Sequence, residues 1–255
     1  MEVGKDPFFH TYLKDIFPED FYAELKAYMQ ARKTPEDMSD RLQDNPGFVN
    51  RRYNLVADGN PAIRILRETF SDPEVKSAFL SGFYSECDER LLSALEIHKE
   101  FEFVYCEPGR FQNIHVDIPP KFMSFVFYFP DTELGTDDEL KNATILYDRN
   151  LEPRYGARFI RNSVCVFVPH FYSYHGFSTT VDRDVLVMFY INGDELQRWD
   201  AAKAEDAAPF DVLKDATERK IRNFPLIEYG SDDEKIRRER NLCLVNAPRG
   251  RVIRS

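Results

Sequence analysis

Residues 122–129 read Phe-Met-Ser-Phe-Val-Phe-Tyr-Phe, and few structures accept such a run. Alternate side chains of a strand face opposite ways. Met123, Phe125, Phe127 and Phe129 therefore form one wholly apolar face, fit to pack on helices. Phe122, Ser124, Val126 and Tyr128 form the other, which carries two hydroxyls. A strand apolar on both faces must be covered on both. Hydroxyls on one of those faces point to an enclosed polar cavity, as in a small barrel. Taken singly, Ser124 and Tyr128 are better explained by bonds to neighbouring backbone.

The surrounding sequence supplies the cover. Pro18-Glu19-Asp20 opens a helix, with Phe21, Leu25, Tyr28 and Met29 at helical spacing. A second helix is expected over Pro61–Phe70. A third, with Pro73 at its first position, is expected to run through Val75, Phe79, Phe83, Leu91 and Leu95 with a break near Gly82. Residues 34–60 are polar and read as loop, a candidate cover for a site. From Phe101 the texture changes to short runs rich in β-branched and aromatic residues: Phe101–Tyr105, Phe122–Phe129, Ala143–Tyr147, Val164–Val168 and Val185–Ile191. An acidic loop (Asp131–Lys141) and a mixed-charge loop (Asp148–Arg158) separate them. After Asn192-Gly193-Asp194 the pattern is helical again, over Leu196–Arg222 and Asp232–Asn241. No repeat or flexible linker divides the chain. The expectation is one α+β domain over 1–255, mostly helical over 1–100, β-rich over 101–192 and helical over 193–255.

Composition narrows the function. With 22 Phe and 13 Tyr the chain can fill a large core, and a net charge of −10 argues against non-specific nucleic-acid or anionic-membrane binding. Cys87, Cys106, Cys165 and Cys243 include no Cys-x-x-Cys pair, so neither a disulfide framework nor a zinc site is expected. No leader-like stretch opens the sequence and no apolar run is long enough to span a membrane. A cytoplasmic setting follows as the expectation. Oligomeric state is not legible.

The chemistry-bearing residues lie in the β-rich middle. His115 and Asp117 are two apart, hence on one face if the segment is extended. An imidazole and a carboxylate so placed are two-thirds of the 2-His-1-carboxylate set that holds non-haem Fe(II). Histidine is scarce, five in all. His10 and His98 fall in leader or helical regions and read as structural, which leaves His170 and His175 as rivals for the third ligand. His175 is preferred, because a strand headed by Arg183 follows it closely. Three ligands on one face of Fe(II) leave positions for a bidentate 2-oxo acid and dioxygen. The far carboxylate of a dicarboxylic 2-oxo acid suits a planar, always charged arginine. Arg51 and Arg52 are candidates to meet an acidic substrate group, although a solvated pair is the commoner fate of such residues.

At these residues the sequence resembles the Fe(II)- and 2-oxoglutarate-dependent oxygenases, best from Tyr105 to Asn192. Tyr105-Cys106-Glu107-Pro108-Gly109 ahead of His115-Val116-Asp117 looks like that family's approach to the first two iron ligands. Phe127-Tyr128-Phe129, Asn162–Phe167, His175-Gly176-Phe177 and Arg183–Leu186 are similar to the strands that follow. Arg183 comes sooner after His175 than is usual, and Val185 stands where many members have serine. Asp6-Pro7-Phe8-Phe9, Phe17–Tyr22 and Leu134-Gly135-Thr136 are similar to a bacterial group of small-molecule hydroxylases and halogenases.

The resemblance implies a double-stranded β-helix (jelly-roll) core with N-terminal helices packed on one sheet and further C-terminal helices. It implies iron on His115, Asp117 and His175, and 2-oxoglutarate on Arg183 with Tyr128 and Tyr105. Dioxygen is the second co-substrate and ascorbate a stimulant. The implied reaction hydroxylates an unactivated C–H bond of a small molecule, releasing succinate and CO₂. Asp117, in place of a small residue, implies hydroxylation rather than halogenation. A prolyl-hydroxylase-like enzyme acting on a protein side chain and a non-catalytic jelly-roll binding protein are the alternatives.

Overall fold

The computed structural model describes residues 1–34, 39–42, 49–84, 88–97, 101–118, 120–170 and 172–204. The chain opens with β1 (His10–Lys14) and α1 (Glu19–Ala31), followed by β2 (Ser39–Leu42) and β3 (Val49–Asn54). Next come α2 (Pro61–Ser71), α3 (Pro73–Leu80), α4 (Glu89–Ala94) and β4 (Leu95–Ile97). The β-rich part holds β5 (Glu102–Cys106), β6 (Phe111–His115), β7 (Lys121–Tyr128), α5 (Thr136–Lys141), β8 (Thr144–Tyr147) and β9 (Pro153–Ala157). It continues with β10 (Ser163–Phe167), β11 (His175–Ser178) and β12 (Arg183–Asn192), and α6 (Gly193–Ala204) follows. The expected helix over Leu196–Arg222 is thus described only to Ala204. That over Asp232–Asn241 lies outside the described residues, as does His98.

Local sequence explains the helix boundaries. Asn60 caps α2, accepting from Ala62 N at 2.9 Å, and Asp72 caps α3, accepting from Glu74 N at 2.8 Å. In each a proline occupies the first turn, where its missing N–H costs nothing. Buried Tyr22, Leu25 and Met29 of α1 and Ala62, Ile63, Leu66 and Phe70 of α2 turn one stripe each to the sheet.

Two antiparallel sheets face each other. The larger has eight strands in the order β1-β10-β7-β12-β5-β3-β2, with β4 also on β12; the smaller runs β6-β11-β8-β9. The outer face of the large sheet carries Phe125, Phe127, Phe129, Leu186, Met188 and Tyr190 against the helices. Its inner face carries Val104, Tyr128, Cys165, Phe167 and Val185 against the small sheet. This is an α+β fold with a jelly-roll core, its N-terminal helices packed on one sheet. No helix among the described residues is long and apolar enough to cross a membrane.

Several expectations need correction. Residues 34–60 are not simply loop: β3 pairs with β5 (Arg52↔Val104, Tyr53↔Phe103) and β2 with β3. These strands extend the sheet at its edge, where charge is tolerated and the apolar signal fades. The acidic loop contains α5, whose first-turn Asp137, Asp138 and Glu139 complement the helix dipole. The mixed-charge loop contains the edge strand β9, with proline at its first position. Leu95 ends α4 and begins β4 instead of continuing a helix. Phe122 faces the helices, stacked on Tyr84, and does not line the inner face. The reason is a bulge: Tyr190 pairs with Met123 and the next residue, Ile191, with Lys121, so Phe122 is the extra residue. That bulge turns Lys121 inward.

Candidate metal centre and cavity

Strand pairing creates the site. His115, the last residue of β6, lies opposite His175, the first of β11, and their rings are 4.2 Å apart. Asp117 follows just beyond β6, and its Oδ2 lies 4.0 Å from His175 Nε2. One donor atom from each of the three lies within 4.8 Å of the others. His175 Nδ1 donates to the Ser173 carbonyl at 2.9 Å, which fixes the tautomer and turns the Nε2 lone pair to the centre. Gln112 Nε2 donates to His115 Nε2 at 2.9 Å, so a metal on that nitrogen displaces the amide.

Asp117 is clamped on both oxygens. Lys121 Nζ donates to Oδ1 at 2.9 Å and Ser124 Oγ to Oδ2 at 2.6 Å. Burial opposes ionisation of this carboxyl. The cation of Lys121, the two imidazoles and the serine bond outweigh it and hold the carboxyl well below the usual range. Burial, opposed by the Asp117 charge, pushes the His175 imidazole down. The set is therefore an ionised carboxylate beside two imidazoles, which is the donor set for a divalent first-row metal. Lys121 also sits over the Phe189 ring at 3.5 Å. The sequence offered no warning of Lys121, because a bulge is not encoded by alternation.

The three residues line a cavity of about 200 Å³ between the sheets. At its other end lies Arg183, only 2% exposed. Its Nε donates to the Asn142 carbonyl at 3.2 Å and its Nη2 to Thr144 Oγ1 at 2.8 Å. Its guanidinium lies 3.9 Å from the centre of the Phe177 ring. Among the described residues no carboxylate pairs with it, and burial pushes its pKa down. Tyr128, fully buried beside it, donates to Thr144 Oγ1 at 2.6 Å.

Of the sequence candidates, His115, Asp117, His175 and Arg183 line one cavity, and Tyr128 adjoins Arg183. Tyr105 does not join them. Its hydroxyl donates to the Met29 carbonyl of α1 at 2.7 Å, and its ring packs in the helix-facing core, because odd-numbered residues of β5 point outward. His170 accepts from Tyr172 N and lines a separate cavity with Lys5, Phe8 and Arg149. His10 is buried in β1, bonded to Phe8.

No family model matches the sequence, and no curated protein does. Solved structures do match. A Pseudomonas putida prolyl-4-hydroxylase superposes with a TM-score of 0.55 at 14% identity, over 72% of this chain and 92% of that one. A 2OG-Fe(II) oxygenase family oxidoreductase from Burkholderia pseudomallei gives 0.50 at 15%, over 72% and 84%. A non-heme alpha ketoglutarate dependent carbocyclase from nogalamycin biosynthesis gives 0.50 at 11%, over 72% and 79%. Two facing antiparallel sheets with a helical layer on one of them are thus shared with those proteins, and the chain carries the fold of the 2OG-Fe(II) oxygenases.

Proposed function

We propose that the protein is an Fe(II)- and 2-oxoglutarate-dependent oxygenase that hydroxylates an unactivated C–H bond of a small molecule. The observation that carries this reading is the pairing of two ends in one cavity. A His/Asp/His donor set lies at one end, and a buried arginine without a carboxylate partner among the described residues lies at the other. A buried charge is costly until an anion meets it. A dicarboxylate whose 2-oxo acid end reaches the metal and whose other end reaches Arg183 meets both requirements.

His115, Asp117 and His175 would hold iron. Iron bound there supplies oxidising chemistry with dioxygen, in which 2-oxoglutarate leaves as succinate and CO₂. The chain's own work is positioning. Arg183 binds the far carboxylate, aligned by Asn142 and Thr144. Tyr128 braces Thr144 from behind. Lys121 and Ser124 orient the Asp117 carboxylate. Val104, Val126, Val185 and Val187 keep the space between the two ends apolar and exclude water. With Asp117 occupying a coordination position, oxygen transfer is the expected outcome and halide transfer is not.

The test is consumption of 2-oxoglutarate, read as succinate, with Fe(II), ascorbate and oxygen, alongside a mass-spectrometric screen of metabolite pools for a gain of one oxygen. Wild type should form succinate only when iron and oxygen are both present, and His115→Ala and His175→Ala should form none. Iron-independent succinate formation, or none from wild type, would overturn the reading.

A further inference from the structure

Asp117 is the member of the donor set that strand pairing does not hold. His115 and His175 are fixed opposite each other by β6 and β11, whereas Asp117 lies beyond the end of β6. Its direction is set from β7, by Lys121 on Oδ1 at 2.9 Å and Ser124 on Oδ2 at 2.6 Å. Lys121 and Ser124 are three residues apart and would face opposite ways in an unbroken strand. The extra residue at Phe122 brings both to the inner face, where both line the cavity. The bulge thus builds the clamp.

The two carboxylate oxygens are not equivalent. Oδ2 is turned to the donor set, 4.0 Å from His175 Nε2, and spends one lone pair on the Ser124 hydroxyl, which leaves another for a metal. Oδ1 is held by the ammonium of a side chain only 7% exposed, whose Nζ also lies 3.5 Å from the centre of the Phe189 ring. A charge-assisted bond is among the stronger contacts a carboxylate makes, and breaking a buried one strands both charges. Oδ1 therefore stays on Lys121 when Oδ2 takes up a metal.

Resting on the oxygenase reading above, we propose that Lys121 is a positioning residue that keeps Asp117 a one-oxygen ligand, bound through Oδ2. Three protein donors then leave three positions on a six-coordinate metal, enough for a bidentate 2-oxo acid and one further small ligand at the same time. Without Lys121 the carboxylate is free to close on the metal with both oxygens. The 2-oxo acid and the further ligand then compete for the positions that remain.

The experiment reads ligand binding and not turnover. Co(II) is added to wild type, Lys121→Met and Lys121→Gln. Methionine keeps the length and apolar stem of the side chain; glutamine keeps a polar end without the charge. Visible absorption of the metal follows titration with 2-oxoglutarate and with azide, each alone and each with the other saturating. In wild type, saturating 2-oxoglutarate should change the azide dissociation constant by less than about threefold. In both variants it should raise that constant about tenfold or more, a coupling of about 1.4 kcal/mol, and azide should weaken 2-oxoglutarate by the same factor. Co(II) itself should bind the variants at least as tightly as wild type, because the carboxylate gains a bond and loses a competing cation. Melting temperature checks folding. Equal coupling in wild type and the folded variants overturns the proposal. So does weaker Co(II) uptake by the folded variants, or failure of both variants to fold, which would make Lys121 a folding residue. Wild type that binds no Co(II), or binds it without taking up 2-oxoglutarate, overturns the oxygenase reading and the proposal with it.

Discussion

Replacing Thr144 by valine keeps the shape and β-branching of the side chain and removes one oxygen. That oxygen accepts from Tyr128 at 2.6 Å and from Arg183 Nη2 at 2.8 Å. Thr144 is 3% exposed, Tyr128 0% and Arg183 2%, so neither donor finds bulk water in exchange. A buried donor left unsatisfied costs roughly 1–3 kcal/mol, more when charged. Arg183 keeps its bond to the Asn142 carbonyl and borders the cavity, where water relieves part of its loss. Tyr128 has no such relief. The net cost is about 2–4 kcal/mol. Urea denaturation should show a lower midpoint with an unchanged slope. Thr144→Ser, which keeps the oxygen, should recover most of the loss. Adding Tyr128→Phe to Thr144→Val removes one stranded donor, so the double variant should be less destabilised than the two single effects added. Thr144→Val within about 0.5 kcal/mol of wild type, the range of an ordinary surface change, would refute the claim that this hydroxyl bridges the two donors.

Three further outcomes are expected. His175→Ala should lose Co(II) binding, read from the visible absorption of the metal, while His170→Ala keeps it; the reverse would move the third ligand to the other cavity. Arg183→Ala should weaken 2-oxoglutarate binding by roughly a hundredfold or more, since about 3–5 kcal/mol follows from stranding one partner of a buried pair. Arg183→Lys should recover only part of it, and titration calorimetry decides. Tyr105→Phe should cost about 1 kcal/mol of stability through the lost bond to Met29 and leave the KM for 2-oxoglutarate unchanged; a raised KM would return Tyr105 to the site.

What the sequence made legible follows from which signals are local. The alternation of residues 123–129 identified both the helix-facing surface and the cavity face, and Ser124, Val126 and Tyr128 do look inward. His115 and His175 were found because histidine is scarce, Asp117 because it stands two residues from His115, and Arg183 because it heads an apolar strand. Lys121 was not, since the bulge at Phe122 depends on how β12 registers against β7. Nor was β3, whose four polar residues gain strand character only by pairing with β5. Tyr105 was misplaced because a resemblance matches positions without asking which face of the strand each occupies.

Arg183 and Asp184 are adjacent on β12 and have opposite surroundings. The arginine enters the cavity, while the aspartate, fully buried on the helix side, meets Gln30 at 2.8 Å and Lys33 at 3.2 Å. Sliding β12 by one residue would exchange them. A carboxylate would then occupy the end of the cavity, and a guanidinium would be driven against Lys33 on the helix side. Either misplacement is far more costly than the loss of an apolar contact. The two charges act as a lock that admits one alignment of β12, the longest strand among the described residues. One-residue insertions or deletions between Ser178 and Arg183 should therefore fail as folding errors before they register as catalytic ones, whereas the same changes in the exposed turn at Asp148–Asn150 should be tolerated.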